Sequence, residues 1–496
     1  MRRGWAWAGL SGLVGLLLAA GSAAAQEVQL EVRVHTLPNG MQVLLVPRRE
    51  SPTVATYLRF KVGSVQEHNG ITGIAHFLEH MMFKGTRRLG TRNYEAEAPL
   101  IEALVRLHIA LDEERAKGPA ADQGRITSLR AEIAATTEAQ RKHIVSNELS
   151  DLYEQHGGVG VNASTTHDGT QYFVQLPANK LELWAFLESD RIANPVFREF
   201  YAERDVVMEE RRGRYDTSPV GKLYEVLRAV AYVAHPYRHP ILGWTSDILA
   251  YRPDQMLTYF KTYYAPNNAL AVLVGDFDPA EALALVTRYF GPIPPQPIPK
   301  VLITAEPEQR GERRVAVEFD ARPQVLIGYH IPALGHPDTY ALSVLASLLG
   351  DGRTSRFYKG LVEGRGIALS ASTYVTPQPH PGLFSILASP RAPHTTAEVE
   401  RAIDEEIDRI VKEPPTEREL LKVRNQTDAE LIQELDSNAG IASEVGDAQA
   451  LTGDWRYLLE SRRRIKAVTA AEVQRAARQY LTAAKRTVVT LVPPAR

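Results

Sequence analysis

The order of apolar and polar residues predicts an α+β fold. Apolar and polar residues alternate over residues 28–35, and two further strands follow at 41–46 and 54–62. The apolar spacing then changes to that of a helix from about residue 72 to residue 83. Strand and helix patterns continue in alternation as far as a strand at 272–275. Such alternation is typical of sheets packed with helices.

A proline-rich stretch divides the chain into two parts. Residues 291–299 contain five prolines, and proline can continue neither a helix nor a central strand. Beyond this stretch the patterns restart, and a helix–strand unit at 254–273 recurs at 470–489. We therefore predict two copies of one α+β unit: an N-terminal domain over 26–290, a linker over 291–310 and a C-terminal domain over 311–496.

One segment of the first half has no counterpart in the second. Residues 99–146 carry apolar side chains at helical spacing, interrupted at Gly118 and Pro119, which predicts an inserted helical hairpin. The many charges of the segment favour a hairpin that projects into solvent. A docking element for a partner is the alternative.

The first 25 residues have the features of a secretory signal peptide. Arg2 and Arg3 precede an apolar stretch at 10–20, and alanines at 23–25 suit cleavage before Gln26. The apolar stretch is shorter than the about 20 residues that span a bilayer, and no later segment is long and apolar enough. We expect a periplasmic or secreted protein with no membrane span in its mature form.

The composition excludes several kinds of chemistry. Lys and Arg number 57 and Asp and Glu 59, so the net charge of −2 gives no indication of nucleic-acid binding. The chain has no cysteine. Disulfides, a thiol nucleophile and a thiolate-bound metal are therefore excluded, and any metal must be held by His, Asp and Glu.

The pattern with the clearest chemistry is His76-Phe77-Leu78-Glu79-His80. On a helix, His76 and His80 share one face with Glu79 close by, while the opposite face is apolar. Two histidines at this spacing can bind one zinc ion, and the carboxylate can serve as a general base for a water molecule. The alternative is a pair of ordinary surface histidines.

A hydrolytic zinc site usually has a third protein ligand. The helical segment 198–214 offers the carboxylates Glu203, Glu209 and Glu210. Glu203 and Glu210 are two turns apart and share a face, so one could bind the metal while the other orients a histidine. Periodicity alone leaves open which residue is the ligand, and a charged face in contact with solvent is the other interpretation.

Both segments resemble parts of a known family. Residues 73–86 read Gly-Ile-Ala-His-Phe-Leu-Glu-His-Met-Met-Phe-Lys-Gly-Thr and closely resemble the zinc-site helix of the inverted zinc metallopeptidases. This family includes pitrilysin, insulysin and the mitochondrial processing peptidase. Residues 203–210 are similar to the family's downstream helix. The resemblance implies that Glu210 is the third ligand. It also implies that Glu203 orients a histidine ligand without binding the metal itself.

The resemblance extends over about residues 30 to 495 of the chain. Residues 160–165 resemble the family's edge strand, which implies that the peptide substrate pairs with the backbone at Asn162 and Ala163. The implied fold has two halves, each an antiparallel sheet packed with helices. The halves are expected to close as a clamshell around a chamber.

The second half departs from the family pattern at one important place. Active single-chain members carry an Arg and a Tyr there that hold the substrate, and the matching positions in this chain are Val362 and Leu369. In paired bacterial members, one subunit has the zinc site and its partner supplies the Arg and the Tyr. The resemblance therefore implies a heterodimer with a related subunit that lacks zinc. The alternative is that Arg353, Arg365 or Tyr374 takes this role within the chain.

The predicted function is that of a secreted zinc endopeptidase acting on peptides or unfolded polypeptides. His76, His80 and Glu210 would hold Zn²⁺, and Glu79 would move the proton. The alternative from another class is a peptide-binding or scaffold subunit with vestigial catalysis, and a third is a zinc site that only stabilises the fold. The sequence retains every group of the site, which favours the enzyme.

Overall fold

The computed structural model describes residues 29–494, and the predicted signal peptide at 1–25 lies outside the described residues. In chain order the strands are β1 (Arg33–Thr36), β2 (Gln42–Pro47), β3 (Thr53–Phe60), β4 (Val159–Thr165), β5 (Thr170–Pro177), β6 (Ala269–Gly275), β7 (Arg313–Glu318), β8 (Gln324–Ile331), β9 (Ala368–Val375), β10 (Gly382–Pro390) and β11 (Arg486–Val492).

The α-helices carry most of the remaining chain. In chain order they are α1 (Ile74–Met81), α2 (Tyr94–Ala116), α3 (Gln123–Arg141), α4 (Glu148–Gln155), α5 (Leu181–Ala193), α6 (Phe200–Arg211), α7 (Pro219–Ala231), α8 (Thr245–Ala250), α9 (Pro253–Tyr263), α10 (Pro279–Phe290), α11 (Pro337–Gly350), α12 (Thr396–Lys412), α13 (Glu417–Glu434), α14 (Asn438–Thr452), α15 (Tyr457–Ala467) and α16 (Ala470–Tyr480).

The strands form two sheets with the same internal topology. The first sheet has the order β1-β2-β6-β3-β5-β4 and the second the order β7-β11-β8-β10-β9. In each sheet the last strand of the half is inserted between two earlier strands, and it is parallel to one neighbour and antiparallel to the other. The predicted α+β fold with two homologous halves is therefore confirmed. The sheets differ from the expected purely antiparallel form because β6 and β11 arrive through a helix, α9 or α16, and this crossover allows a parallel pairing.

Each half also contributes one helix to the other half. Helix α7 of the first half packs on β8 and β11, and helix α14 of the second half packs on β3 and β6. Leu227 of α7 is buried against Leu326 and Val489 of the second sheet. Gly446 of α14 lies so close to the first sheet that a Cβ there would be 3.3 Å from Val272 Cγ2. The two halves are thus joined by an exchange of helices as well as by the connecting chain.

The connection between the halves is irregular. Residues 291–312 contain neither helix nor strand and lead from α10 to β7. Across the described residues we find no helix with the length and apolar character needed to span a bilayer.

The inserted hairpin of the first half consists of α2 and α3. Helix α2 begins before Pro99 because Asn93 caps it, with its side-chain oxygen accepting a hydrogen bond from Ala96 N at 3.1 Å. The base of the hairpin is anchored by a fully buried ion pair between Glu97 and Arg198, which lie 3.1 Å apart. A charged hairpin is therefore attached rigidly next to the start of α6 and is not a wholly solvated protrusion.

The start of the short helix α1 is fixed by a buried carboxylate. Glu67 Oε2 accepts a hydrogen bond from Gly73 N at 2.7 Å, and Oε1 accepts one from Ala75 N at 2.8 Å. Gly73 has a φ of +89°, and a Cβ there would lie 2.4 Å from Leu242 O, so this turn requires glycine. Burial raises the pKa of Glu67 to about 8 against the opposing effect of the two hydrogen bonds.

Glu67 should make the stability of the fold depend on pH in a direction opposite to that of most carboxylates. With a pKa of about 8 when folded and 4.5 when unfolded, the folded protein keeps a proton that the unfolded chain releases. The free energy of unfolding should therefore fall as the pH rises between these two values.

Glu67→Gln cannot ionise and should lack this component of the pH dependence. Urea titrations of both proteins at about pH 5 and about pH 8 should show their difference in unfolding free energy changing by more than about 1 kcal/mol. A difference that stays constant with pH would contradict the assignment.

Candidate metal centre

Helices α1 and α6 bring two histidines and a carboxylate to one point. The Nε2 atoms of His76 and His80 lie 3.5 Å and 3.3 Å from Glu210 Oε2. One donor atom from each of the three residues lies within 4.8 Å of the other two, so in the described part of the chain this group could hold a metal ion. We refer to His76, His80 and Glu210 as the triad.

The distances within the triad fit a zinc ion. Four ligands at zinc bond lengths of about 2.0–2.1 Å in a tetrahedron are about 3.3–3.4 Å from one another. The two measured separations from Glu210 Oε2, 3.5 Å and 3.3 Å, match this spacing. The donors are two imidazoles and one carboxylate, a set that zinc accepts, and three protein ligands leave a fourth position open.

Glu203 lies behind the triad. Its Oε1 atom lies 2.8 Å from His80 Nδ1, and its Oε2 atom lies 2.6 Å from Lys84 Nζ. Burial would raise the pKa of Glu203, but the hydrogen bonds with His80 and Lys84 outweigh burial and hold that pKa at about 2. A carboxylate in this place fixes the ring so that its Nε2 atom faces the metal position.

Glu209 points about 100° around α6 from Glu210. It is exposed and pairs with Arg212, with Oε1 and Nη2 2.6 Å apart. Of the three carboxylates that the sequence left open, the structure thus brings Glu210 to the histidines directly, Glu203 behind His80, and Glu209 into solvent.

The two histidines have different pKa values. Burial and the neighbouring His80 lower the pKa of His76 to about 4, so His76 is neutral. Burial also lowers the pKa of His80, but its hydrogen bonds with Glu203 and Glu210 prevail and raise that pKa to about 9. A metal ion must displace the proton of His80, so metal binding should weaken as the pH falls.

Glu79 is buried on the same helix and turned toward β4. Its Oε2 atom accepts a hydrogen bond from the hydroxyl of Thr165 at 2.5 Å. Burial raises the pKa of Glu79, opposed by this hydrogen bond and by the charge of His80. The sequence did not single out Thr165, because its role depends on where β4 lies relative to α1.

Strand β4 is an edge of the first sheet and pairs with β5 alone. Thr166 N donates to Gly169 O at 2.8 Å, and hydrogen-bonded pairs alternate along an antiparallel ladder, so the N–H of Ala163 points away from β5. The side chain of Asn162 accepts a hydrogen bond from that N–H at 2.9 Å. An extended peptide could pair with this edge once the Asn162 side chain turned aside.

An open cleft of about 500 Å³ lies beside Glu79 and His80. One wall is formed by Asn162 of β4, and another by residues 144–150, which follow the inserted hairpin. The sequence alone does not connect the hairpin with the site, because distance along the chain does not show where the end of an insertion returns.

Three candidate substrate-binding residues of the second half lie on or near β9, namely Arg365, Leu369 and Tyr374. Leu369 is 44% exposed on this edge strand. Arg365 pairs with Glu405 at 2.6 Å, and the ring of Tyr374 lies 6.4 Å from that of Tyr224 on α7. Arg365 is thus engaged within its own half, whereas Leu369 presents an apolar side chain to solvent.

Comparison with known proteins agrees with this arrangement. The family described as "Insulinase (Peptidase family M16)" matches residues 42–103, and "Peptidase M16 inactive domain" matches residues 251–427. "Zinc protease PqqE" of Helicobacter pylori is 28% identical over 471 residues and covers 92% of each chain. The "Mitochondrial-processing peptidase subunit beta" of Lentinula edodes is 22% identical and covers 90% of this chain and 87% of its own.

A solved structure shares the fold over nearly the whole length. The crystal structure of a protease from Helicobacter pylori has a TM-score of 0.79 and 27% identity, and the match covers 94% of this chain and 100% of that one. The chain belongs to the peptidase M16 family, a family whose members include proteins named zinc proteases. The match named inactive covers much of the second half, and the triad lies in the first.

Zinc binding should depend on Glu210 of α6 and not on the neighbouring Glu209. Glu210→Gln should bind zinc far more weakly because an amide is a poor substitute for an anionic ligand, whereas Glu209→Gln should bind one zinc per chain like the wild type. Metal analysis after dialysis against zinc measures both. Stoichiometric zinc in Glu210→Gln, or its loss in Glu209→Gln, would refute the triad as the binding site.

Proposed function

We propose that the chain is a periplasmic or secreted zinc endopeptidase that hydrolyses peptides or unfolded polypeptides. The observation that carries this proposal is the convergence of His76, His80 and Glu210 beside the buried carboxylate of Glu79. Membership of a family with relatives named zinc proteases supports the same reaction class. The signal-peptide features of residues 1–25 support the location.

His76, His80 and Glu210 would hold the metal. A bound zinc ion would supply Lewis-acid polarisation of the substrate carbonyl and make water more acidic. Glu203 keeps His80 in the orientation that this requires, with Lys84 holding the second oxygen of Glu203.

Glu79 is the general base in this proposal. Its carboxylate takes a proton from water as the water oxygen adds to the carbonyl carbon, and it then gives that proton to the amide nitrogen as the C–N bond breaks. The products are a carboxylic acid and an amine, and Glu79 returns to its starting state. Thr165 occupies one oxygen of Glu79 and leaves the other for the water. The raised pKa of the buried carboxyl makes it a better proton acceptor than an exposed one.

The edge of β4 is the proposed binding place for the substrate backbone. Pairing with the outward N–H of Ala163 would orient an extended peptide along the cleft, next to Glu79. Backbone pairing depends little on the side chains of the bound peptide. Such binding suits an enzyme that accepts many peptides.

Glu79→Gln should retain zinc and lose hydrolysis. The amide keeps the size of the side chain but cannot accept the proton, and loss of a positioned general base lowers the rate by about 10² to 10⁴. Turnover of a quenched fluorescent peptide, with and without a chelator, measures the rate, and metal analysis checks the site. If Glu79→Gln turns over like the wild type, Glu79 is not the base. If the wild type binds peptides without cleaving them, the alternative of a binding or scaffold subunit is correct.

We further propose that the working enzyme is a heterodimer with a related subunit that lacks the zinc site. Leu369 supports this, because it exposes an apolar side chain where a hydroxyl that holds the substrate is expected from the family resemblance. The name of the family match over residues 251–427, an inactive domain, is consistent with a second half that does not carry the chemistry.

Activity of the isolated chain tests the heterodimer. Addition of a related subunit with an Arg and a Tyr at the positions of Val362 and Leu369 should raise peptide hydrolysis by about 10²-fold or more, because it supplies missing donors to the carbonyl oxygen. Robust activity of the chain alone, unchanged by the added subunit, would show that the chain is self-sufficient.

A further inference from the structure

A positively charged side chain contacts the outer oxygen of the triad residue Glu210. The chain continues from α6 into a π-helical turn, Arg212–Asp216, and Arg214 stands on this turn. Its Nη2 atom lies 3.4 Å from Glu210 Oε1, while Glu210 Oε2 faces the two histidines. The Arg214 side chain is 60% exposed. A π-helical turn shifts the following side chains relative to a regular helix, and such turns are frequent at functional sites.

The neighbouring positively charged side chains, Lys84 and Arg212, pair with carboxylates other than Glu210. Lys84 is held 2.6 Å from Glu203 behind His80. Arg212, two residues before Arg214, pairs with Glu209 on the solvent side of α6. Arg212 is as exposed as Arg214, but Arg214 differs from both cations because its partner is Glu210 of the triad and that contact is long.

Arg214 acts electrostatically on the same space as the triad. Its guanidinium lies 3.4 Å from Glu210 Oε1, and the other oxygen of the same carboxylate lies 3.5 Å and 3.3 Å from the two histidines. A cation at this distance stabilises a further negative charge that develops beside the triad.

We propose that Arg214 is a substrate-binding residue that stabilises the oxygen of the scissile carbonyl as it becomes negatively charged. This inference rests on the proposed peptidase function. When water adds to the carbonyl carbon, the carbonyl π electrons move to oxygen, and an adjacent cationic donor lowers the energy of that state. A guanidinium offers several N–H groups in a fixed plane, so Arg214 can keep its contact with Glu210 Oε1 while a second N–H meets the substrate.

The competing interpretation is that Arg214 only positions Glu210. In that case its removal would disturb metal binding, because the ligand would lose its outer contact. A residue that meets the substrate oxygen in the transition state should instead lower kcat, with KM and metal content nearly unchanged. The two interpretations therefore differ in what zinc analysis shows.

The test compares Arg214→Ala and Arg214→Lys with the wild type, and Arg212→Ala is the matched control. It is carried out in the assembly, isolated or paired, in which the wild type cleaves peptide. Arg214→Ala should bind one zinc per chain and keep KM within about threefold, while kcat falls by about 10² to 10³. Arg212→Ala should behave like the wild type.

A binding measurement without turnover completes the test. A phosphinic peptide places an anionic oxygen where the carbonyl oxygen becomes charged, and its Kd, measured by calorimetry, should rise about tenfold or more in Arg214→Ala but not in Arg212→Ala. Arg214→Lys keeps the positive charge and serves as the test if Arg214→Ala does not fold. It should still have a lower kcat than the wild type because the planar guanidinium donor is gone.

Each outcome has a distinct meaning. An inactive wild type would overturn the proposed function itself. An active wild type with unchanged kcat and unchanged phosphinic-peptide binding in the Arg214 variants would overturn this inference alone. Loss of zinc in a folded Arg214→Ala would assign the residue to the positioning of Glu210 and would also overturn it.

Discussion

The burial of a short helix that carries its own polar groups is the constraint on which the metal centre depends. Seven of the eight residues of α1 are buried, including His76 and Glu79. A helix of this length is not stable alone, and its polar side chains would be costly inside a core without partners. The surrounding chain meets this cost: Glu67 binds the first N–H groups, Glu203 binds His80, and Thr165 binds Glu79. The geometry of the site follows from these contacts, whereas the buried Nδ1 atom of His76 has no hydrogen-bond partner among the described residues.

Much of this arrangement could be predicted from the sequence because it is local. The spacing of His76, Glu79 and His80 fixes their common face, and the recurrence at 254–273 and 470–489 corresponds to α9 with β6 and α16 with β11. The separate roles of Glu209 and Glu210 could not be predicted from periodicity, since both lie on one helix and only tertiary packing turns one of them inward. Thr165 could not be predicted because its partner Glu79 is 86 residues away in the chain. Glu67 is close in sequence to Gly73 and Ala75, but only the turn before α1 brings its carboxyl group to their N–H groups.

The two halves share a topology but not a chemistry. Helix α11 lies between β8 and β9 as α1 lies between β3 and β4, in the same connection of the repeated unit. Ten of its residues are buried, among them Leu345, Leu348 and Leu349. The polar groups of α11 lie at its start, where the side chain of His336 caps the helix and buried Asp338 pairs with Arg475 and Tyr480. Beyond the first turn its buried positions are apolar, whereas α1 carries two imidazoles and a carboxylate along its length.

The exchange of α7 and α14 limits how the molecule can move. A rigid-body hinge at residues 291–312 would have to pull α7 from β8 and β11 and α14 from β3 and β6 at the same time. Exposure of Leu227 alone would cost about 1.5–3 kcal/mol, and every other buried side chain on both helices would add to that. The packing of these two helices therefore fixes the two halves of the chain relative to each other. A polypeptide must therefore reach the cleft beside Glu79 without a hinge motion of the two halves about the connecting chain.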